Sequence, residues 1–152
     1  MTGDLRPGGH YQLQGNAGGT IERCEPPSHL AVTWEFQGGM SWVEVRLSED
    51  AGGTKVELEH IVPDDDHWRR YGPGATGVGW ELALVGLDMH LGGAPPVDPE
   101  EAAAWSMSEA GKGFVRASSD GWRDAFLAAG APESTAGEMA ANTSAFYTGE
   151  GG

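Results

Sequence analysis

The chain has 152 residues, 39% of them hydrophobic, and a formal net charge of −14. That length suits one domain, or one domain with an extension. The acidity excludes non-specific nucleic-acid binding, which needs clustered Lys and Arg to displace phosphate counterions, and it opposes docking on an anionic membrane.

The opening MTGDLRPGGHY has neither the charged nor the apolar region of a signal peptide, so the expected location is the cytoplasm. A short strand is expected over Tyr11 to Gln14, then a turn from Gly15 to Gly19. A second strand covers Thr20 to Cys24 and stops at Glu25-Pro26-Pro27, because proline cannot continue a ladder. Cys24 is the sole cysteine, which rules out an intrachain disulfide and a cysteine metal knuckle. It reads as a small buried or half-buried strand residue rather than a reactive thiol.

The third strand, Leu30 to Phe36, alternates cleanly. Leu30, Val32, Trp34 and Phe36 share one face, and Ala31, Thr33 and Glu35 the other. Gln37-Gly38-Gly39 signals a tight hairpin. Ser41 to Ser48 then turns Val43, Val45 and Leu47 inward and Trp42, Glu44 and Arg46 outward. After a turn at Glu49 to Gly53, the strand Thr54 to Val62 groups Val56, Leu58 and His60 opposite Lys55, Glu57 and Glu59. Repeated period-two patterning means an antiparallel sheet with one covered face and one wet face.

Pro63-Asp64-Asp65-Asp66 ends the sheet, and an irregular stretch leads into a helix over Thr76 to Leu91. Val78, Leu82, Val85 and Met89 form one stripe, with Trp80, Leu84, Leu87 and Leu91 beside it. That breadth predicts burial over most of the helix circumference. No apolar run approaches the ~18 residues of a membrane span. Gly92 and Gly93 stop the helix. Ala94-Pro95-Pro96 reads as a linker, and Asp98-Pro99 as an N-cap followed by a first-position proline. Helix is then expected from Pro99 to about Ala129, broken near Gly111 and Gly113, with another short helix over Glu133 to Tyr147.

Strands followed by a heavily apolar helix indicate an α+β architecture. The Asp64-Asp65-Asp66-His67 cluster lacks the spaced ligands of a calcium loop and reads as a solvated connection. Gly72-Pro73-Gly74-Ala75-Thr76-Gly77 satisfies GxGxxG, but no buried strand precedes it and no parallel unit follows. It reads as a turn into the helix. Ser118-Ser119-Asp120 has no nucleophile-elbow context. The strand glutamates Glu22, Glu35, Glu44, Glu57 and Glu59 face outward, where Arg46 and Lys55 can pair with them. Of the five histidines, His60 alone falls on an apolar face. His10, His29, His67 and His90 lie at turns or element ends with no evident common site.

Gly3 to Leu13 (GDLRPGGHYQL) resembles the early strand of the activator of heat-shock-protein-90 ATPase-like group, in the SRPBCC or START-like superfamily. Gly19 to Phe36 (GTIERCEPPSHLAVTWEF) is similar to that group's strand-PP-strand signature. Gly52 to Val62 (GGTKVELEHIV) and Gly77 to Leu91 (GVGWELALVGLDMHL) are similar to its last strand and long helix. The segment from Ala94 onward looks like an extension of a bacterial branch that ends in a phrase like AFYTGE.

The resemblance implies an α+β helix-grip fold, a curved antiparallel sheet around a long helix. Residues 1–93 would form the START-like domain and residues 94–152 a helical extension. It also implies that a strand and two short helices found ahead of GDLRPGG in full-length relatives are absent. Met1 would then be an internal or misassigned start, or the chain a truncated member, and an exposed sheet edge or the C-terminal helices would support a homodimer. The expected function is non-catalytic binding of a small hydrophobic ligand in the sheet–helix cavity, through Tyr11, Trp34, Phe36, His60, Trp80 and Leu84. No catalytic residue, metal or cofactor is expected. The alternatives are a chaperone-associated interaction domain and an enzyme of the polyketide cyclase or aromatase kind, for which the inward positions offer only His60 and Tyr11 as polar groups.

Overall fold

The computed structural model describes residues 2–150. By internal contacts the chain forms two compact units, residues 1–63 and residues 64–152. The first is all strand: β1 (Thr2–Gly3), β2 (His10–Gln12), β3 (Gly18–Glu25), β4 (His29–Phe36), β5 (Gly39–Asp50) and β6 (Gly53–Ile61). They form one antiparallel sheet in sequential order, with β1 and β6 at its edges.

Two-residue loops set the register of the long meander. Gln37 and Gly38 both have positive φ and close β4 onto β5 so that Phe36 faces Gly39; Ala51 and Gly52 do the same between Asp50 and Gly53. A turn with two positive φ values carries the twist that antiparallel strands need. The register then stacks Leu30, Val45 and Leu58 in one row and Val32, Val43 and His60 in the next. All lie on the inner face, as the alternation predicts. Ile21, opposite Val32, joins them at 1% exposure. A register shift between Ile21 and Arg23 then puts half-buried Cys24 opposite Leu30.

The outer face carries the charges. Arg46 pairs with Glu44 at 2.6 Å and Glu59 at 3.6 Å, and Lys55 with Glu57 at 3.2 Å. His29, expected to be isolated at a strand end, instead bonds Glu44 from a part-buried position.

The second unit is all helix: α1 (Asp66–Tyr71), α2 (Gly74–Leu91), α3 (Pro99–Ser106), α4 (Glu109–Ala128) and α5 (Glu133–Thr148). The expected irregular stretch before α2 contains α1, a helix too short for periodicity to reveal. Asp65 is its N-cap, accepting from the Trp68 N–H at 2.9 Å, while Asp64 and Asp66 pair with Arg69. The acidic cluster is therefore a helix start. Asp98 caps α3 as expected, accepting from the Glu100 and Glu101 N–H groups. The break before α4 falls at Met107–Ser108, because the Ser108 hydroxyl accepts from the Gly111 N–H and starts a new helix there.

The glycines of the GxGxxG string serve packing. Gly72, at φ +60, ends α1 beside Met139, and Gly74 lies against Thr143. A Cβ on Gly77 would sit 2.1 Å from the Trp122 ring, so α4 reaches α2 only because that position has no side chain. From α5, Asn142 donates to the Arg70 carbonyl, Thr143 to that of Tyr71 and Tyr147 to that of Ala75, at 2.8–3.0 Å. The first two bonds satisfy carbonyls in the last turn of α1 that helix geometry leaves unpaired, and the third adds a second partner to a carbonyl in the first turn of α2.

One expectation about α2 fails. Its buried residues are Gly74, Gly77 and Val78, all in the first two turns. Leu84, Val85, Leu87, Met89 and Leu91 are 37–76% exposed.

Gly77→Ala is expected to destabilise the chain by about 1–3 kcal/mol through overpacking against Trp122. Gly137→Ala in α5, where a Cβ meets open space, is expected to add about 0.5–1 kcal/mol. Urea unfolding of the two variants, monitored by helical circular dichroism, checks the opposite signs.

Candidate functional site

The inner face of the sheet brings together an aromatic, an imidazole and a hydroxyl. Trp34 on β4 faces Ser41 on β5 directly, while His60 on β6 faces Val43, two residues further along. This stagger places the Ser41 Oγ 2.8 Å from the His60 Nε2 and 3.2 Å from the Trp34 carbonyl oxygen. The Trp34 and His60 rings meet edge to face, with centroids 5.9 Å apart at 61°. Val32 and Val43, 6% and 4% exposed, form the floor.

Burial lowers the His60 pKa below the usual histidine range, since taking the ring out of water penalises its charged form. The imidazole is therefore mainly neutral near pH 7. It has one ring proton, and the Ser41 hydroxyl brings another. The Ser41 proton goes to the Trp34 carbonyl, so the His60 Nε2–H bridges the pair and the Ser41 oxygen keeps one lone pair.

Tyr11 is buried on β2, over Gly19 of the neighbouring strand, and its hydroxyl donates to the Thr33 carbonyl at 2.7 Å. Burial, with a smaller contribution from the Glu35 charge, raises its pKa. The phenol is thus already engaged in holding β2 to β4. An open cleft of about 440 Å³ borders Tyr11. Its wall includes Gln12 and Glu35, which the register places on the outer face, so it is distinct from the Trp34–His60 cluster.

The remaining expected residues are dispersed. Phe36 ends β4 on the inner face at 45% exposure. Trp80 and Leu84 lie on α2 in the helical unit, half-buried and 47% exposed respectively. That unit has a cavity of only about 10 Å³, beside Ser119 and Trp122, too small for an organic ligand. Among the described residues, no group of three or more His, Cys, Asp or Glu side chains could hold a metal ion. No helix among them is long and apolar enough to cross a membrane.

Ser41 is the site residue that sequence reasoning missed. Its place in the alternation, on the same face as Val43, was the available signal. A serine at the head of a strand carries little pattern information without the register that brings it to His60.

Residues 1–92 match the family model described as Activator of Hsp90 ATPase homolog 1-like protein. The chain belongs to this family. Among curated proteins none matches. Among solved structures, the chain is similar to CalU16 from Micromonospora echinospora. The crystal structure is 39% identical with a TM-score of 0.60, over 81% of this chain and 66% of that one. The solution structure is 37% identical with a TM-score of 0.67, over 86% of this chain and 70% of that one. This chain thus spans about two thirds of CalU16, and the likeness extends past the part covered by the family model. The curved antiparallel sheet with its helices is the α+β helix-grip fold shared with that neighbour.

The His60 shift has a consequence for stability. Unfolded, the ring titrates near the ordinary value of about 6.5; folded, it titrates lower. Above that ordinary value both states are neutral and stability is complete. As the pH falls toward the folded value, the unfolded chain takes up a proton that the folded chain refuses, and stability drops. His60→Gln should remove this component, so the wild-type advantage over the variant in urea midpoint should shrink from pH 7 to pH 5. A difference independent of pH would contradict the assignment.

Proposed function

We propose that this family member binds a small hydrophobic ligand on the inner face of its sheet. The observation that carries the reading is the state of that face. Around its buried floor, Phe36, Leu47 and Val56 keep 45%, 36% and 46% of their surface exposed. Apolar side chains aligned on one face and open to solvent are what a ligand would cover. Tyr11, Trp34, Phe36 and His60 are the proposed contacts. The reading takes residues 1–93 as the ligand-binding family core and residues 94–152 as its helical extension. It is compatible with a homodimer formed at an exposed sheet edge or through the C-terminal helices.

Two other readings each have an observation in their favour. The family description supports a chaperone-associated interaction domain, although a fold alone does not fix a function. A cyclase-like enzyme needs polar groups on the inner face, and there Ser41 joins His60 and Tyr11.

The neutral dye N-phenyl-1-naphthylamine tests the primary reading without repulsion from the −14 net charge. Its fluorescence should rise saturably on titration with the protein, at about one site per chain, and Trp34→Ala should weaken binding several-fold. Absence of a saturable signal up to the dye's solubility limit would overturn the ligand-binding reading.

A further inference from the structure

A purely apolar surface would select ligands by size alone, but this face has a polar pair set into it. Ser41 and His60 are both half-buried, within reach of a molecule lying over Trp34 and Phe36. Ser41 is held from two sides, by the His60 Nε2 at 2.8 Å and the Trp34 carbonyl at 3.2 Å. A serine hydroxyl has one proton and two lone pairs, so a position for an incoming hydrogen bond remains after both contacts.

We infer that Ser41, held by His60, is a polar anchor that selects hydroxylated aromatic ligands over both bare hydrocarbons and carboxylates. The inference rests on the ligand-binding reading above and names the ligand class for the same face. The aromatic body follows from the flat surfaces of Trp34 and Phe36 on one side of the sheet. The hydroxyl follows from the lone pair left on Ser41: its one proton goes to the Trp34 carbonyl and His60 donates to it, so the incoming group must be a donor. A carboxylate fits poorly. It accepts only, its desolvation is costly, and the protein's net charge of −14 repels it.

The discriminating experiment measures dissociation constants of naphthalene, 2-naphthol and 2-naphthoate with the full chain and with Ser41→Ala, Ser41→Thr and His60→Gln. The full chain should prefer 2-naphthol to naphthalene by about three- to tenfold, the size of one net hydrogen bond, and should bind 2-naphthoate most weakly. Ser41→Ala should bring the naphthol-to-naphthalene ratio to about one and leave naphthalene affinity within about twofold. Ser41→Thr, which keeps the hydroxyl, should retain the preference, and His60→Gln should reduce it by loosening the serine.

If naphthalene and 2-naphthol bind equally, or Ser41→Ala keeps the preference, the anchor is wrong while the ligand-binding reading stands. Tightest binding of 2-naphthoate also overturns the anchor. If none of the three binds, the ligand-binding reading fails and the anchor fails with it. Circular dichroism establishes folding of each variant. Should Ser41→Ala not fold, the Ser41→Thr and His60→Gln ratios decide.

Discussion

The register of the β4–β5–β6 meander is the constraint on which the rest of the sheet depends. Because side chains alternate with period two, a slip of one residue would exchange its faces entirely. Val32, Val43 and His60 would turn outward, and Glu44 and Glu59 would turn into the apolar layer. Burying unpaired carboxylates is far costlier than any gain from alternative pairing. The two hairpins at Gln37-Gly38 and Ala51-Gly52 hold the same register through backbone geometry. Pattern and turn thus agree, and the position of His60 beside Ser41 is a consequence of both.

The two faces treat their polar groups differently. On the outer face, Glu44 joins His29 and Arg46 in a cluster still reached by solvent. Exposed ion pairs of this kind are individually weak, and their main effect is to make that face unsuitable for burial. On the inner face the polar groups are few and neutral, tied to backbone carbonyls or to each other. A low-dielectric surface tolerates neutral hydrogen-bonded groups and penalises charged ones, which is also why His60 titrates low.

In the helical unit, close approach takes the place of a large apolar core. Gly72, Gly74 and Gly77 admit Met139, Thr143 and Trp122, and α5 hydrogen-bonds the carbonyls where α1 passes into α2. α4 therefore packs directly on the first turns of α2, and α5 on α1 and α2, while α3 lies against α4. The later turns of α2 keep a row of apolar side chains in contact with solvent. The similarity to CalU16, which continues past residue 92, fits an arrangement in which the later helices belong to the same architecture.

The sequence by itself determined the five strands from β2 onward, the inward and outward faces of β4 to β6, the hairpin at Gln37-Gly38 and the cap at Asp98. Each is a local property, set by alternation, proline, positive-φ turns or a capping side chain. The resemblance carried by its motifs determined the family. Tertiary structure alone decided that Ser41 meets His60, that Gly77 receives Trp122 and that His29 joins the outer ion cluster. These are contacts between residues 15 to 45 positions apart. A one-dimensional pattern records which surfaces are suited to burial, but the packed chain selects which of them meet.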